Sequence, residues 1–238
     1  LQVFLSYSKI FPPNEIYSRL MNRLKKYVNF EWDERLYHII ACYIIATYFY
    51  DVFNAFPILV FYGVHNVGKT RALQTVVVAS HRGVSLVEET QASLFRGVDA
   101  FKPTFGYDEQ TRLPESILVL IRSAYKKGRR VPRVEKLKGE KFILYLYELF
   151  SKLILATTKK IPEMTASRSI IITMRKASDP SPEGQDPTEQ DFEDIRSYLY
   201  LSRLTYSYEV YRVMKKLNKR RREIGLDGRD WEVWRPLL

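Results

Sequence analysis

The chain has 238 residues, a length that suits one large domain or a core with an appendage and excludes a long multidomain machine. Hydrophobic residues at 46% and charged residues at 27% are ordinary globular proportions; they exclude disorder throughout and permit a core without disulfide or metal staples. Thirty-eight Lys and Arg against 27 Asp and Glu leave +11, which directs attention to polyanions, nucleic acid or an anionic membrane, and says nothing of fold.

The chain opens Leu-Gln-Val-Phe, with no initiator Met and no basic-then-apolar signal pattern, and so reads as a piece of a longer polypeptide. Over residues 13–29, Ile16, Leu20, Leu24 and Val28 recur every four residues between Arg19, Arg23, Lys25 and Lys26, which predicts an amphipathic helix. Leu36–Tyr50 is more apolar but only fifteen residues long, short of the ~20 that span a bilayer, so it predicts a buried helix and no membrane association. The single cysteine, Cys42, lies in that run as a small hydrophobe; it excludes internal disulfides and fits a reducing compartment, the cytoplasm.

From residue 57 the pattern changes. Pro57–Tyr62, Val84–Val87, Thr104–Tyr107, Leu153–Ala156 and Ser169–Thr173 are short apolar or β-prone runs, as expected of strands buried on both faces of a parallel sheet. Helix-compatible segments lie between several of them: Lys69–Val78, Gln91–Val98 and Pro114–Lys126. The alternation predicts an α/β fold. Residues 177–194 carry three prolines and seven carboxylates without one Lys or Arg, the composition of a solvated linker or surface loop. Glu193–Arg222 is again helical in character. The expected organisation is an N-terminal helical region (1–51), a core (52–177), an acidic linker (178–192) and a C-terminal helical region (193–238).

Gly63-Val64-His65-Asn66-Val67-Gly68-Lys69-Thr70 fits G-x-x-x-x-G-K-[ST], directly after one predicted strand and before a predicted helix. Glycines let backbone amides turn toward a phosphate, and the new helix directs its positive dipole end at the anion. In such a loop Lys69 would neutralise β- and γ-phosphate oxygens of ATP, and Thr70 would give its hydroxyl to Mg²⁺. Asp108 and Glu109 end the Thr104–Tyr107 run; Asp108 would hold the magnesium through water, and Glu109 would polarise the attacking water. Thr157 and Thr158 stand at another strand tip, where a hydroxyl could touch the γ-phosphate, although threonines also cap strands and turns routinely. Arg168 precedes the last strand and reads either as a surface arginine or as a cation offered to a second subunit's γ-phosphate.

In this order the motifs resemble the Walker A, Walker B, sensor 1 and arginine-finger positions of an AAA+ ATPase. More narrowly, Ser123–Gly128 followed by a basic, β-prone stretch through Tyr147 resembles the segment before sensor 1 in superfamily 3 helicases and related ATPases of viruses, plasmids and integrated elements. The resemblance covers about residues 20–177, with Trp231–Leu238 also similar. It implies a P-loop three-layer sandwich with a parallel central sheet, and a ring, often a hexamer, that translocates on DNA with hairpins lining its pore. Two positions depart from the pattern. Threonines stand where that group typically has Asn, and none of Arg196, Arg203, Arg212 and Arg229 is distinguished as a sensor 2.

Charge location bears on the DNA half of this expectation. Residues 122–141 hold nine Lys and Arg against two Glu, a net +7. Lys126, Lys127, Arg129, Arg130, Arg133, Lys136 and Lys138 are the candidate phosphate contacts, and the flanking Val131–Val134 and Phe142–Tyr147 predict a β-hairpin at about 129–147 with a cationic tip. A solvated basic loop is the alternative. Arg212–Arg222 adds seven basic residues and no acid. The reading is an ATP- and Mg²⁺-dependent ring helicase or translocase in replication of a mobile element, possible partners including replication proteins. The alternatives are an AAA+ ATPase that loads or remodels a protein partner, and a nucleotide-binding module without turnover.

Overall fold

A computed structural model of the chain describes residues 12–86, 90–108, 115–136, 142–178 and 185–238. All five expected apolar runs become strands of one sheet: β1 (Ile58–Tyr62), β2 (Gly83–Leu86), β3 (Thr104–Asp108), β6 (Lys152–Thr157) and β7 (Ser169–Thr173). Their order is β2-β3-β6-β1-β7, and every pairing is parallel. β4 (Arg130–Lys136) and β5 (Phe142–Glu148) form a separate antiparallel hairpin.

The continuous apolar runs have a simple cause. Successive side chains of a strand point to opposite faces, and in the central strands β1 and β6 both faces are covered, while the edge strands β2 and β7 are partly exposed. Leu59, Phe61, Ile154, Ala156, Ile170 and Ile172 enter one core, Ile58, Val60, Leu153, Leu155 and Phe105 the other. The first core is closed by α1 (Pro13–Tyr27), α2 (Arg35–Tyr48), α3 (Lys69–Ala79) and the start of α7 (Glu193–Ile224); the second by α4 (Gln91–Phe101) and α5 (Glu115–Ala124). The result is a three-layer α/β sandwich of P-loop NTPase type, and the terminal helices share the first core. The α1 stripe Ile16, Leu20 and Leu24 is buried as its spacing requires, and α2 buries nearly all round. Within α2 the buried Tyr43 hydroxyl finds its partner in the Leu153 carbonyl at 3.2 Å, so its phenol is satisfied inside the core. Among the described residues no helix is long and apolar enough to cross a membrane.

Gly106 in β3 has a packing reason. A Cβ there would stand 2.4 Å from Cγ2 of Val77 and 3.0 Å from Cδ2 of Leu73, so its absence lets α3 lie directly on β3. That contact brings the first turn of α3 to the end of β3.

The hairpin packs its inner face on α4, while its outer face carries Val134, Phe142, Leu144 and Leu146, 66%, 65%, 62% and 51% exposed. Cross-strand register joins these residues as Val134↔Leu144, Lys136↔Phe142 and Pro132↔Leu146. Among the described residues β5 pairs with β4 alone. The 32-residue α7 runs about 48 Å at 1.5 Å per residue, ends at the left-handed Gly225, and is followed by α8 (Gly228–Trp234), which folds back. There the buried Trp231 donates its indole N–H to Asn218 Oδ1 at 3.2 Å.

Candidate functional site

The Gly63–Thr70 loop leaves the C-terminal end of β1. Asn66 (φ 60°) and Gly68 (φ 81°) both take left-handed backbone, a conformation that gathers successive N–H groups into an anion-binding concavity. Gly68 adopts it without a Cβ, and α3 begins at the next residue, so the helix's positive end faces the same concavity. The Lys69 side chain is buried; its Nζ donates to the Val64 carbonyl of the loop. Burial lowers its pKa, and the Asp108 carboxylate opposes that shift.

Thr70 Oγ1 donates to Asp108 Oδ2 at 2.6 Å, joining residues 38 apart in sequence. Two hard oxygen donors at the mouth of a phosphate-type loop form a donor set suited to Mg²⁺. β6 lies between β1 and β3, with Thr157 in register with Tyr62 and Ala156 with Asp108. Thr157 thus sits between the loop and the carboxylate. Its carbonyl accepts from Gly63 N at 3.3 Å, and its Oγ1 accepts from Lys159 N at 3.0 Å, the turn-capping bond that threonines make at strand ends. Thr158 beside it is half-buried. Glu109 lies outside the described residues, as does Lys138.

A cavity of about 340 Å³ adjoins the loop. Tyr27, Val28 and Asn29 from the end of α1, Asn66–Gly68 and Arg71 from the loop and α3, and Met174–Ser178 after β7 form its walls. Motif reading missed this wall set, because it is drawn from three segments that carry no local signature. Glu31 clips two of them together: Ser178 donates its N–H to Oε1 and its hydroxyl to Oε2, both at 2.7 Å. Arg71 reaches Asp186 of the acidic segment at 3.4 Å. Asp194 lies 3.7 Å from Arg23, and Glu189 pairs with Arg196 at 2.9 Å. The described part of the acidic segment thus stays largely exposed, with Asp186 reaching Arg71 of α3 and Glu189 reaching Arg196 of α7, while Asp194 at the start of α7 faces Arg23 of α1.

Arg168 stands at the opposite end of the sheet. Its carbonyl accepts from Ile58 N at 3.1 Å, so it aligns with the start of β1, and five residues of strand put it roughly 17 Å from the loop. Its guanidinium donates to the Met164 carbonyl of the short α6 (Glu163–Ala166) at 2.9 Å and lies 5.8 Å from the Tyr125 ring centre. Burial, with Arg229 and Arg129 nearby, lowers its pKa. Arg168 cannot serve the nucleotide loop of its own chain. Of the four arginines considered for a sensor 2, Arg196 pairs with Glu189, Arg203 with Asp51 and Arg229 with the Ser167 hydroxyl, and Arg212 is exposed on α7. Arg71, Arg175 and Lys176 are the cations that line the cavity.

The predicted hairpin forms over both arms, and its 137–141 tip lies outside the described residues. The six candidate phosphate contacts among the described residues do not share one surface. Lys126 pairs with Glu232 at 2.7 Å, and Lys127 Nζ donates to the Asp51 carbonyl at 3.1 Å, so both tie the chain before the hairpin to other elements. Arg129, Arg130 and Lys136 are exposed, whereas Arg133 turns inward onto α4. On α7, Arg212 to Arg222 present all seven cations to solvent.

No protein-family model and no curated protein matches the chain. Among solved structures it is similar to the active helicase Cch of SCCmec type IV, at 11% identity and a TM-score of 0.50, over 95% of this chain and 45% of that one. It is also similar to the NrS-1 C-terminal region (14%, TM-score 0.43, 84% and 47%) and to JCV helicase (11%, TM-score 0.43, 99% and 57%). The chain thus spans about half the length of the solved proteins it matches, and with Cch it shares a fold. That fold agrees with the superfamily 3 resemblance carried by the motifs.

Proposed function

We propose that the chain is the ATP-dependent core of a motor that works on DNA, assembled as a ring, in the replication of a viral or plasmid-type element in the cytoplasm. The observation that carries this reading is the 2.6 Å contact between Thr70 and Asp108 at the end of a phosphate-type loop. Lys69 would hold the β- and γ-phosphates, Gly63–Gly68 would supply amides, and the cavity beside Tyr27 and Met174 would take the nucleoside. Thr70 and Asp108 would hold Mg²⁺, which supplies charge neutralisation on the phosphates when bound. Glu109 would orient and deprotonate the attacking water, and Thr157 or Thr158 would position that water or the γ-phosphate. Arg168 would act on a neighbour's nucleotide, since its distance from its own loop leaves it no role in cis. Arg129, Arg130, Arg133, Lys136 and Lys138 would contact the strand, and replication proteins would be further partners.

A second reading, an ATPase that remodels or loads a protein, is favoured by the apolar outer face of the hairpin, a surface poorly suited to phosphates. ATP turnover and oligomeric mass, measured together with and without single-stranded DNA, decide between them. Stimulation by DNA with a ring-sized mass supports the motor; turnover indifferent to DNA at low salt supports the protein-directed reading; no nucleotide binding sinks both.

A further inference from the structure

We infer that the cleft between α4 and the inner face of the β4–β5 hairpin is a phosphate subsite for a nucleic-acid strand, with Arg133 its main ligand. The inference deepens the nucleic-acid reading above and rests on it. It moves the expected grip from the hairpin tip to the hairpin's underside.

Four observations converge there. Strand alternation turns Arg133 inward, where its guanidinium lies 5.1 Å from the Phe95 ring centre. Its Nε is buried and has no hydrogen-bond partner. It faces a cavity of about 270 Å³ whose other charged lining residues are Arg96, Glu135 and Lys136. The one carboxylate is already occupied: Glu135 accepts from Arg96 Nε at 3.0 Å and from the Tyr147 hydroxyl, and Arg96 holds its carboxyl below the usual range. The lining therefore offers an anion one inward-facing uncommitted cation, Arg133, while Lys136 lines the cleft from an exposed position on the alternate side of β4.

The chemistry of Arg133 narrows the ligand. A ring beneath one face of the guanidinium leaves its edge as the donor, and that edge is a planar fork matched to two oxygens of one anion. A buried N–H without an acceptor is costly, so the native state gains from any ligand that supplies one. A cationic ligand would meet like charge from Arg133, and a neutral one would leave that charge uncompensated. A phosphodiester supplies paired oxygens at the end of a strand long enough to reach the exposed Arg129 and Arg130 as well. Free phosphate offers the same oxygens without that reach.

The test uses fluorescence anisotropy of a labelled oligo-dT against the chain across a salt series. Arg133→Met keeps apolar bulk over Phe95 and removes the charge. It should weaken binding roughly tenfold at low salt and reduce the slope of log affinity against log salt by about 0.7, the share of one phosphate on a single strand. Arg133→Lys should keep the slope and lose part of the affinity, because the charge remains without the fork. Arg35→Met, which removes a cation paired with Asp33 elsewhere, should leave the slope as it is. An Arg133→Met chain that melts like wild type and binds with unchanged affinity and slope overturns the inference. Should that variant not fold, wild-type affinity in Arg133→Lys overturns it instead. Inorganic phosphate that displaces the oligonucleotide from wild type but not from Arg133→Lys, at equal ionic strength, would assign the cleft to free phosphate. Wild-type chain that binds no oligonucleotide at low salt refutes the nucleic-acid reading itself.

Discussion

Gly106→Ala is a one-carbon test of how the site is built. At an open strand position the change should stabilise, by about 0.5–1 kcal/mol, because glycine costs conformational entropy. At Gly106 the new methyl would lie 2.4 Å from Val77 Cγ2, against a preferred carbon separation of about 3.5–4.0 Å. Relief requires α3 to move by roughly 1 Å or Val77 to leave its rotamer, and overpacking of this kind costs about 1–3 kcal/mol. A loss of about 2 kcal/mol would lower the melting temperature by about 4–8 °C in a chain of this size. The same displacement would stretch the Thr70–Asp108 bond from 2.6 Å toward the limit of hydrogen bonding, so the Mg²⁺ concentration needed for half-maximal ATP turnover should rise. Thermal melts and Mg²⁺ titrations of wild type, Gly106→Ala, Val77→Ala and the double variant form a cycle. The coupling should be at least about 1 kcal/mol, with Val77→Ala rescuing Gly106→Ala. A Gly106→Ala protein more stable than wild type, with additive behaviour in the double variant, would refute the close approach of α3 to β3.

The remaining predictions address the nucleotide, the assembly and the core. Lys69→Ala should abolish binding of a fluorescent ATP analogue, whereas Glu109→Gln should bind it and not turn over; normal turnover by the Glu109 variant removes that residue from the mechanism. Arg168→Ala should lose turnover yet regain part of it when mixed with Lys69→Ala, and absence of rescue at every mixing ratio argues against action between subunits. His81 is buried among Tyr48, Tyr50 and Tyr200. Burial, followed by the charges of Lys152, Arg203 and Arg82, pushes its pKa down to about 3. The unfolded chain takes up a proton near pH 6.5 that the folded chain refuses until about pH 3, so this contribution is complete above pH 6.5 and falls away between those values. His81→Phe should flatten the acid side of the stability profile measured by urea melts; an unchanged profile means His81 titrates normally in the fold.

The central strands β1 and β6 were legible because both of their faces are buried, which leaves an apolar run with no polar alternation to confuse it, whereas the edge strands β2 and β7 were legible from β-branched residues although they are partly exposed. The loop was legible because its backbone demands spaced glycines that composition rarely supplies by accident. Nothing in the sequence says why residue 106 is glycine; only the position of Val77 turns it into a requirement. What escaped depends on contacts between distant segments. Lys126 meets Glu232 across 106 residues and Arg71 meets Asp186 across 115, and neither pairing leaves a trace in local pattern. Arg133 read as one cation among nine. Its inward turn follows from the phase of β4 against α4, which a count of charges cannot supply.

The hairpin's second arm carries a material consequence for anyone handling the protein. Phe142-Ile-Leu-Tyr-Leu-Tyr147 is six uncharged, β-prone residues in a row, and β5 pairs only with β4 among the described residues. β4 has Pro132 to discourage a further strand from adding at its own edge. β5 has no such guard, so its free backbone and oily side chains form a template on which identical segments can stack. Concentrated preparations should therefore cloud or form fibrils before they crystallise, and a lysine substituted for Leu144 should extend the usable concentration range.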